Sequence, residues 1–386
     1  MNNFKQQLGR IRMLMLLSFI SFATFATFAQ NEQTFTVSGH IKGFDVDEFY
    51  IDYTSEAGDR VWDTIKVTNE KFSYTGITTK TKYVGLWPLL KKGLNASKSN
   101  RSRKVFFFAK PGEHIFYEGT VDGADFNAYP TGTKLNDEHS AFLKSLLPIY
   151  AEIDKASGQM KRTDSDYKEK YAEVQKISQK IKDAELNFIR ENPTSEVAAQ
   201  KLSSFVQRNA IPIPLASELF NNLAPSIANS PFYQVTKIRL EGIEATQPGR
   251  MVPTLISSST LNGEPFDLRS LRGKYVLIDF WGVWCGPCVA EMPKVQEYQK
   301  KYKDQLTILG IDSGDKQEKI EEFLAKHGYT WMQLMSKKGT QDDFVAKFNV
   351  NAFPTKFIID PSGKIVYRFQ GNAEEAFEKL DELLTN

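Results

Sequence analysis

Between residues 30 and 132 the chain alternates apolar and polar side chains in short runs: Thr34-Phe35-Thr36-Val37, Phe49-Tyr50-Ile51-Asp52-Tyr53, Phe72-Ser73-Tyr74 and His114-Ile115-Phe116-Tyr117. Gly, Asp and Asn separate these runs. A period of two sends successive side chains to opposite faces of a strand, so this region is expected to be a small all-β domain of sandwich type. From residue 133 to 246 the period lengthens. Tyr167, Tyr171, Val174, Ile177, Ile181, Ala184 and Phe188 recur at steps of three and four, the single apolar stripe of an amphipathic helix. Asn192-Pro193 ends it, and Thr194-Ser195-Glu196 supplies a cap and an acidic first turn for the next helix. Such a stripe is packing surface, so residues 133–246 are read as a helical spacer or dimerisation module. Gln247-Pro248-Gly249 then reads as a linker.

Residues 251–386 alternate between the two periods. Strands are predicted at Tyr275 to Trp281, Leu306 to Ile311, Lys356 to Ile359 and Ile365 to Phe369. Helices are predicted at Cys285 to about Lys301, Lys316 to His327, Phe344 to Phe348 and Glu374 to Leu384. That order predicts an α/β sheet. The fold class expected for the chain is therefore multi-domain: N-terminal all-β, central α-helical, C-terminal α/β.

Ahead of all this, Lys5, Arg10 and Arg12 precede an uncharged stretch, Met13 to Ala29, that leaves through Thr27-Phe28-Ala29. A basic start, an apolar middle and a small-residue exit describe a secretory signal peptide over 1–29. An uncleaved anchor is the competing reading, because the stretch is near the lower limit of about 17 residues for a spanning helix. The small-residue exit favours cleavage. No cysteine lies near it, so lipid attachment through a thiol is not expected. The mature chain is thus expected in the periplasm. Formal net charge is +2, and −1 once the three cations of the leader are gone, so no nucleic-acid partner is implied. The basic run Lys91, Lys92, Lys98, Arg101, Arg103 and Lys104 reads as a solvated loop, with a docking patch for an acidic partner as the alternative.

Chemistry concentrates in one place. The only two cysteines, Cys285 and Cys288, stand in Trp284-Cys285-Gly286-Pro287-Cys288, where a buried strand gives way to a helix. The unpaired N–H groups of a helix N-terminus favour a thiolate, which makes this pair a redox centre. A structural disulfide closing so short a loop would restrict the unfolded chain very little. A zinc site would need His40, His114, His139 or His327, which lack metal-ligand spacing, and haem attachment wants a histidine where Val289 stands. No metal and no cofactor are expected.

These residues resemble the thioredoxin superfamily, and more narrowly the TlpA/ResA-like extracytoplasmic thiol-disulfide oxidoreductases. The resemblance runs over about 251–386: Gly273-Lys274-Tyr275 into the strand ending Asp279-Phe280-Trp281, then Trp284 to Cys288, Glu291-Met292-Pro293, and Phe353-Pro354-Thr355 before Ile359-Asp360. It implies that Cys285 is the exposed nucleophile and Cys288 the resolving thiol. Asp279 matches the buried acid of thioredoxin, and Glu291 the acid that TlpA/ResA-like members place one turn after the pair. Holding both leaves the base open, and Glu291 also reads as an ordinary exposed helix carboxylate. Charge at Asp279 is costly without a role or a partner. Thioredoxin's lysine on the neighbouring strand corresponds here to Gly310, so no compensating cation is expected. Pro354 matches the cis-proline facing the dithiol, and Trp284, Gly286, Pro287 and Phe353 are expected to border the substrate groove. Phe353 is bulkier than the residue relatives usually carry, and Pro293 is expected to kink its helix.

The implied activity is reduction of protein disulfides in the cell envelope. Gly-Pro between the cysteines is the thioredoxin dipeptide, and thioredoxin lies near about −270 mV against about −120 mV for a strong oxidant. Electrons would come from a membrane thiol shuttle, because the chain lacks a nucleotide fingerprint. Apocytochrome c is one implied target and mispaired envelope disulfides are another. Two alternatives stand beside it: a peroxide reductase, and a binding protein whose redox module is vestigial.

Overall fold

The computed structural model describes residues 33–44, 46–88, 105–122, 125–158, 160, 162–371 and 373–385. The leader expected over 1–29 and the basic run from Lys91 to Lys104 lie outside them.

Strands β1 (Gln33–Lys42), β2 (Glu48–Thr54), β3 (Arg60–Lys66), β4 (Lys71–Thr78), β5 (Lys82–Pro88), β6 (Val105–Ala109), β7 (His114–Asp122) and β8 (Asp125–Thr131) form two four-stranded sheets. Their orders are β4-β1-β7-β8 and β3-β2-β5-β6. Alternate residues of both sheets, Phe35, Val37, Ile115 and Tyr117 from one and Phe49, Ile51, Val84 and Phe107 from the other, meet in one core. Phe35 joins the layers edge-on to Tyr53 at 5.7 Å and to Phe107 at 6.0 Å.

Among the described residues, α-helices follow: α1 (Lys134–Ser145), α2 (Leu147–Ser157), α3 (Tyr167–Glu191), α4 (Glu196–Gln207), α5 (Ile213–Asn222) and α6 (Pro231–Ala245). Ser195 caps α4, its Oγ accepting from the N–H groups of Val197 at 3.0 Å and Ala198 at 3.2 Å. The apolar stripe of α3 packs only toward its C-terminal part: Ile177, Leu186 and Ile189 are buried, whereas Tyr171 is exposed. Asn136 of α1 ties this module to the sandwich. Its amide accepts from Phe108 N–H and donates to Phe108 C=O, both at 2.8 Å, and so pairs the outer edge of β6 as another strand would.

The last third holds β9 (Ile256–Ser257), β10 (Phe266–Asp267), β11 (Tyr275–Trp281), α7 (Gly286–Lys301), β12 (Leu306–Ser313), α8 (Gln317–His327), β13 (Met332–Ser336), α9 (Phe344–Lys347), β14 (Thr355–Ile359), β15 (Ile365–Gln370) and α10 (Ala373–Leu384). The sheet runs β13-β12-β11-β14-β15; β11, β12 and β13 are parallel, while β14 and β15 are antiparallel to their neighbours. Apart from Asp279, central β11 is apolar on both faces, as suits a strand covered on both sides. Leu277 and Trp281 pack with Val295 of α7, Ile320 of α8 and Leu380 of α10. Val276, Ile278 and Phe280 pack with Phe344 of α9 and with Phe348.

The stretch read as a linker is bonded to the sheet at Gly249 and just beyond it. Gly249 N–H donates to Ile365 C=O at 2.7 Å, Ile365 N–H to Arg250 C=O at 2.8 Å and Val252 N–H to Gly363 C=O at 2.9 Å, covering the outer edge of β15. Helix α6 docks beside it. The buried Arg239 donates to Val350 C=O at 3.2 Å, and a Cβ at Gly242 would fall 2.4 Å from the Lys347 carbonyl oxygen. Gly242→Ala is therefore expected to destabilise the chain by about 1–3 kcal/mol, because crowding against fixed backbone outweighs a helix-propensity gain of about 1 kcal/mol. Urea denaturation measures the loss. Faster proteolysis at Gln247–Gly249 is expected with it, and unchanged stability would show that α6 does not bear on the redox domain.

Candidate active site

Strand β11 delivers the chain from the core to the N-terminus of α7, and Cys285 is the residue that caps that helix. Its sulfur accepts from Cys288 N–H at 3.3 Å, and its carbonyl accepts from Val289 N–H at 3.0 Å. Gly286 and Pro287 form the exposed first positions, where proline's missing N–H costs nothing and its fixed φ suits a helix. Cys285 and Cys288 are joined by a disulfide with Cα atoms 5.3 Å apart. Pro293 lies inside α7.

In this oxidised state Cys285 is 4% exposed, not the open sulfur that the resemblance implies. The reason lies in its neighbours. Cys285 and Cys288 belong to the apolar cluster that holds Trp281, Met292 and Ile358, with Phe353 packed against it. Trp284 is 54% exposed, and its ring meets Phe353 edge-on at 5.2 Å. The Phe353–Pro354 peptide is cis, and Pro354 C=O accepts from Gly371 N–H at 2.9 Å. Trp284 and Phe353 thus meet from the two chain segments that border the disulfide.

Beneath lies a buried cluster of charge. Lys356 of β14 places its ammonium 2.7 Å from Asp279 Oδ1 and 2.8 Å from Glu291 Oε2. Lys356 is 2% exposed and Asp279 3%. This corrects the expectation that Asp279 lacks a cation. Asp279 has two strand neighbours: Gly310 of β12 on one side and Lys356 of β14 on the other. The thioredoxin comparison directs attention to the first, whereas the charge comes from the second. Glu291, one turn after Cys288 on α7, is partly buried and tied to the same ammonium, so the ordinary exposed carboxylate is not what the structure shows. Burial pushes the Glu291 carboxyl above its usual range more than Lys356 pulls it down, and Asp279 adds to the rise. Burial alone would lower the Lys356 ammonium, yet the two carboxylates outweigh it and hold its pKa above the ordinary lysine value.

Lys356 was missed from the sequence, although a signal existed: a lysine in a five-residue strand, Thr-Lys-Phe-Ile-Ile, whose every residue is buried. A lysine that deep needs a counter-charge.

A cysteine pair capping a helix, a cis-proline preceded by the Phe353 that packs against the cysteines' cluster, and a buried acid in the central strand define the class: a thioredoxin-type disulfide oxidoreductase. The matching family pattern and the curated relatives bear this out. The Redoxin family pattern matches residues 247–384, and a "Domain of unknown function (DUF4369)" matches residues 35–139. The Thioredoxin-like protein YneN of Bacillus subtilis is 38% identical over 140 residues, covering 35% of this chain and 79% of the relative. The Thiol-disulfide oxidoreductase ResA of Bacillus cereus is 32% identical over 139 residues, 36% of this chain and 77% of the relative. Among solved structures, the thioredoxin domain of a thiol-disulfide oxidoreductase from Bacteroides vulgatus aligns over 36% of this chain and 98% of its own, at 26% identity and a TM-score of 0.33. The chain belongs to the ResA/YneN-like family of the thioredoxin superfamily, and it is a disulfide oxidoreductase.

Lys356→Met leaves two buried carboxylates without a cation. The expected loss of stability at neutral pH is about 3–5 kcal/mol. Protonation removes the uncompensated charge, so the deficit relative to wild type shrinks as pH falls toward 4, which urea denaturation at a series of pH values checks. A deficit independent of pH would mean that the loss is one of packing.

Proposed function

We propose that the chain reduces protein disulfides in the cell envelope, with Cys285 as nucleophile, Cys288 as resolving thiol and Glu291 as the proton acceptor. One observation carries the reading: Glu291, one turn after Cys288 on α7, shares the buried Lys356 ammonium with Asp279. The Cys285 thiolate, favoured by the N-terminus of α7, attacks one sulfur of a substrate disulfide and expels the other as a thiolate. Cys288 then gives its proton to Glu291 and attacks Cys285 Sγ. The mixed disulfide breaks, the substrate leaves as a dithiol, and the enzyme is left as the Cys285–Cys288 disulfide. Two electrons from a membrane thiol shuttle restore it.

Glu291 is preferred over Asp279 as base for two reasons. It lies one turn from Cys288 on the same helix, and its raised pKa brings its affinity for a proton closer to that of a thiol. Asp279 serves as the fixed partner of Lys356, which keeps the ammonium in place when Glu291 becomes neutral. Pro354 and Phe353 border the groove where extended substrate backbone pairs, opposite Trp284, Gly286 and Pro287. The basic, apolar and small-residue order of residues 1–29 supports export to the periplasm, an oxidising compartment in which a chain with no further cysteine avoids wrong pairing. Among the described residues no helix is long and apolar enough to cross a membrane. Apocytochrome c thiols and mispaired envelope disulfides are the target classes.

Cys288→Ser stops the reaction at the mixed disulfide. Expressed in a cell envelope, it is expected to carry disulfide-linked proteins on Cys285 that dithiothreitol releases and that the Cys285→Ser/Cys288→Ser protein does not hold. Capture of nothing, or equal capture by the double variant, refutes the reductase reading. Glu291→Gln is expected to slow release of the mixed disulfide by about 10²-fold while leaving the first attack within a small factor. Equal slowing of both steps would return the base to Asp279.

A further inference from the structure

A second buried carboxyl pair lies at the carboxyl end of β12, beside the active-site loop. Asp312 pairs in register with Trp281 of β11 and is 1% exposed. Its Oδ1 accepts from Asp315 N–H at 3.1 Å, whereas its Oδ2 is buried with no hydrogen-bond partner among the described residues. Asp315 Oδ2 accepts from Val283 N–H at 2.6 Å, and its Oδ1 pairs with the Lys319 ammonium of α8. The turn held between the two aspartates, Ser313-Gly314, carries Trp284: Ser313 C=O accepts from Trp284 Nε1 at 2.8 Å. Glycines make room for the indole. A Cβ at Gly282 would fall 2.4 Å from Trp284 Nε1, and one at Gly314 would stand 3.9 Å from it. The indole is thereby seated next to Cys285 and edge-on to Phe353.

We propose that Asp312 and Asp315 are positioning residues for the redox step: they hold the Ser313-Gly314 turn that seats Trp284 against Phe353, and so set how readily a thiol reaches Cys285. The inference rests on Cys285 being the sulfur that partners attack.

The clamp depends on protonation. Burial, with the charge of Asp315 added, pushes the Asp312 carboxyl up to about 8, against the weaker pull of Lys319. The strand neighbours Trp281 of β11 and Met335 of β13 carry no titratable group, and in the disulfide form neither cysteine titrates. Below that pH Asp312 is neutral, and Lys319 pairs with Asp315. Above it a second carboxylate charge appears in a site that a single ammonium serves. Repulsion then works against the hydrogen bond that Val283 N–H donates to Asp315, and Trp284 loosens.

The test is reduction of the protein's own disulfide by dithiothreitol, followed from pH 6 to 9.5 in the full chain. A dithiothreitol thiolate attacks one enzyme sulfur and expels the other, and its second sulfur closes the oxidised ring and frees the enzyme dithiol. Dividing the wild-type rate by that of Asp312→Asn, which stays neutral throughout, cancels the reductant's own titration. The expected ratio is near one up to pH 7 and rises at least threefold by pH 9; on a Trp284→Phe background, which lacks the indole N–H, the rise disappears. A flat ratio overturns the clamp, and a rise that persists with Trp284→Phe overturns its route through the indole. If Asp312→Asn does not fold, the Trp284→Phe to wild-type ratio serves. It starts above one at pH 6 and falls toward one by pH 9, and a constant ratio overturns the proposal. A disulfide that resists dithiothreitol at every pH would instead sink the redox-centre reading itself.

Discussion

The capping of α7 by Cys285 is the constraint on which the rest of the molecule turns. A helix N-terminus carries N–H groups that its own carbonyls cannot reach, and here the first of the two sulfurs meets one of them, that of Cys288. The position is held from below by β11, whose two apolar faces are clamped between the helical layers, so the strand cannot slide without exposing Leu277 on one side or Ile278 on the other. Packing energy far from the cysteines is thereby converted into a fixed sulfur at the surface end of the sheet.

Charge is managed with the same economy. Lys356, Asp279 and Glu291 together carry one negative charge when all are ionised, in a place where an unbalanced charge is expensive. Such a unit gains by accepting one proton, and Glu291 stands one turn after Cys288 on α7. The ammonium keeps both carboxylates close without neutralising both. A structure that merely needed a stable core would do as well with apolar residues at all three positions.

How much of this was legible in the residues depends on which physical signal each part leaves. Strands with strict alternation, such as Phe49-Tyr50-Ile51-Asp52-Tyr53, and the Ser195 cap leave local signatures that the structure repeats. Strand β13, Met-Gln-Leu-Met-Ser, lacks alternation and was not foreseen; its place at the sheet edge comes from pairing with β12 and from a bond to Ser259. The stripe of α3 was legible as a helix, but the exposure of Tyr171 depends on where neighbouring helices stop. The pairing of the two cysteines and the cis peptide at Pro354 were legible by spacing and resemblance, which also single out Asp279 and Glu291. Lys356 and the Asp312–Asp315 pair were not, since their meaning arises only when strands distant in sequence lie side by side.

The pH dependence of carboxymethylation of the reduced full-length chain by iodoacetate tests the central claim most directly, with the modified sulfur identified by mass. One thiol, Cys285, reacting with an apparent pKa below about 7.5 is the predicted result. A sulfur that titrates near about 8.5 like free cysteine, or two sulfurs equally inert at neutral pH, would contradict it.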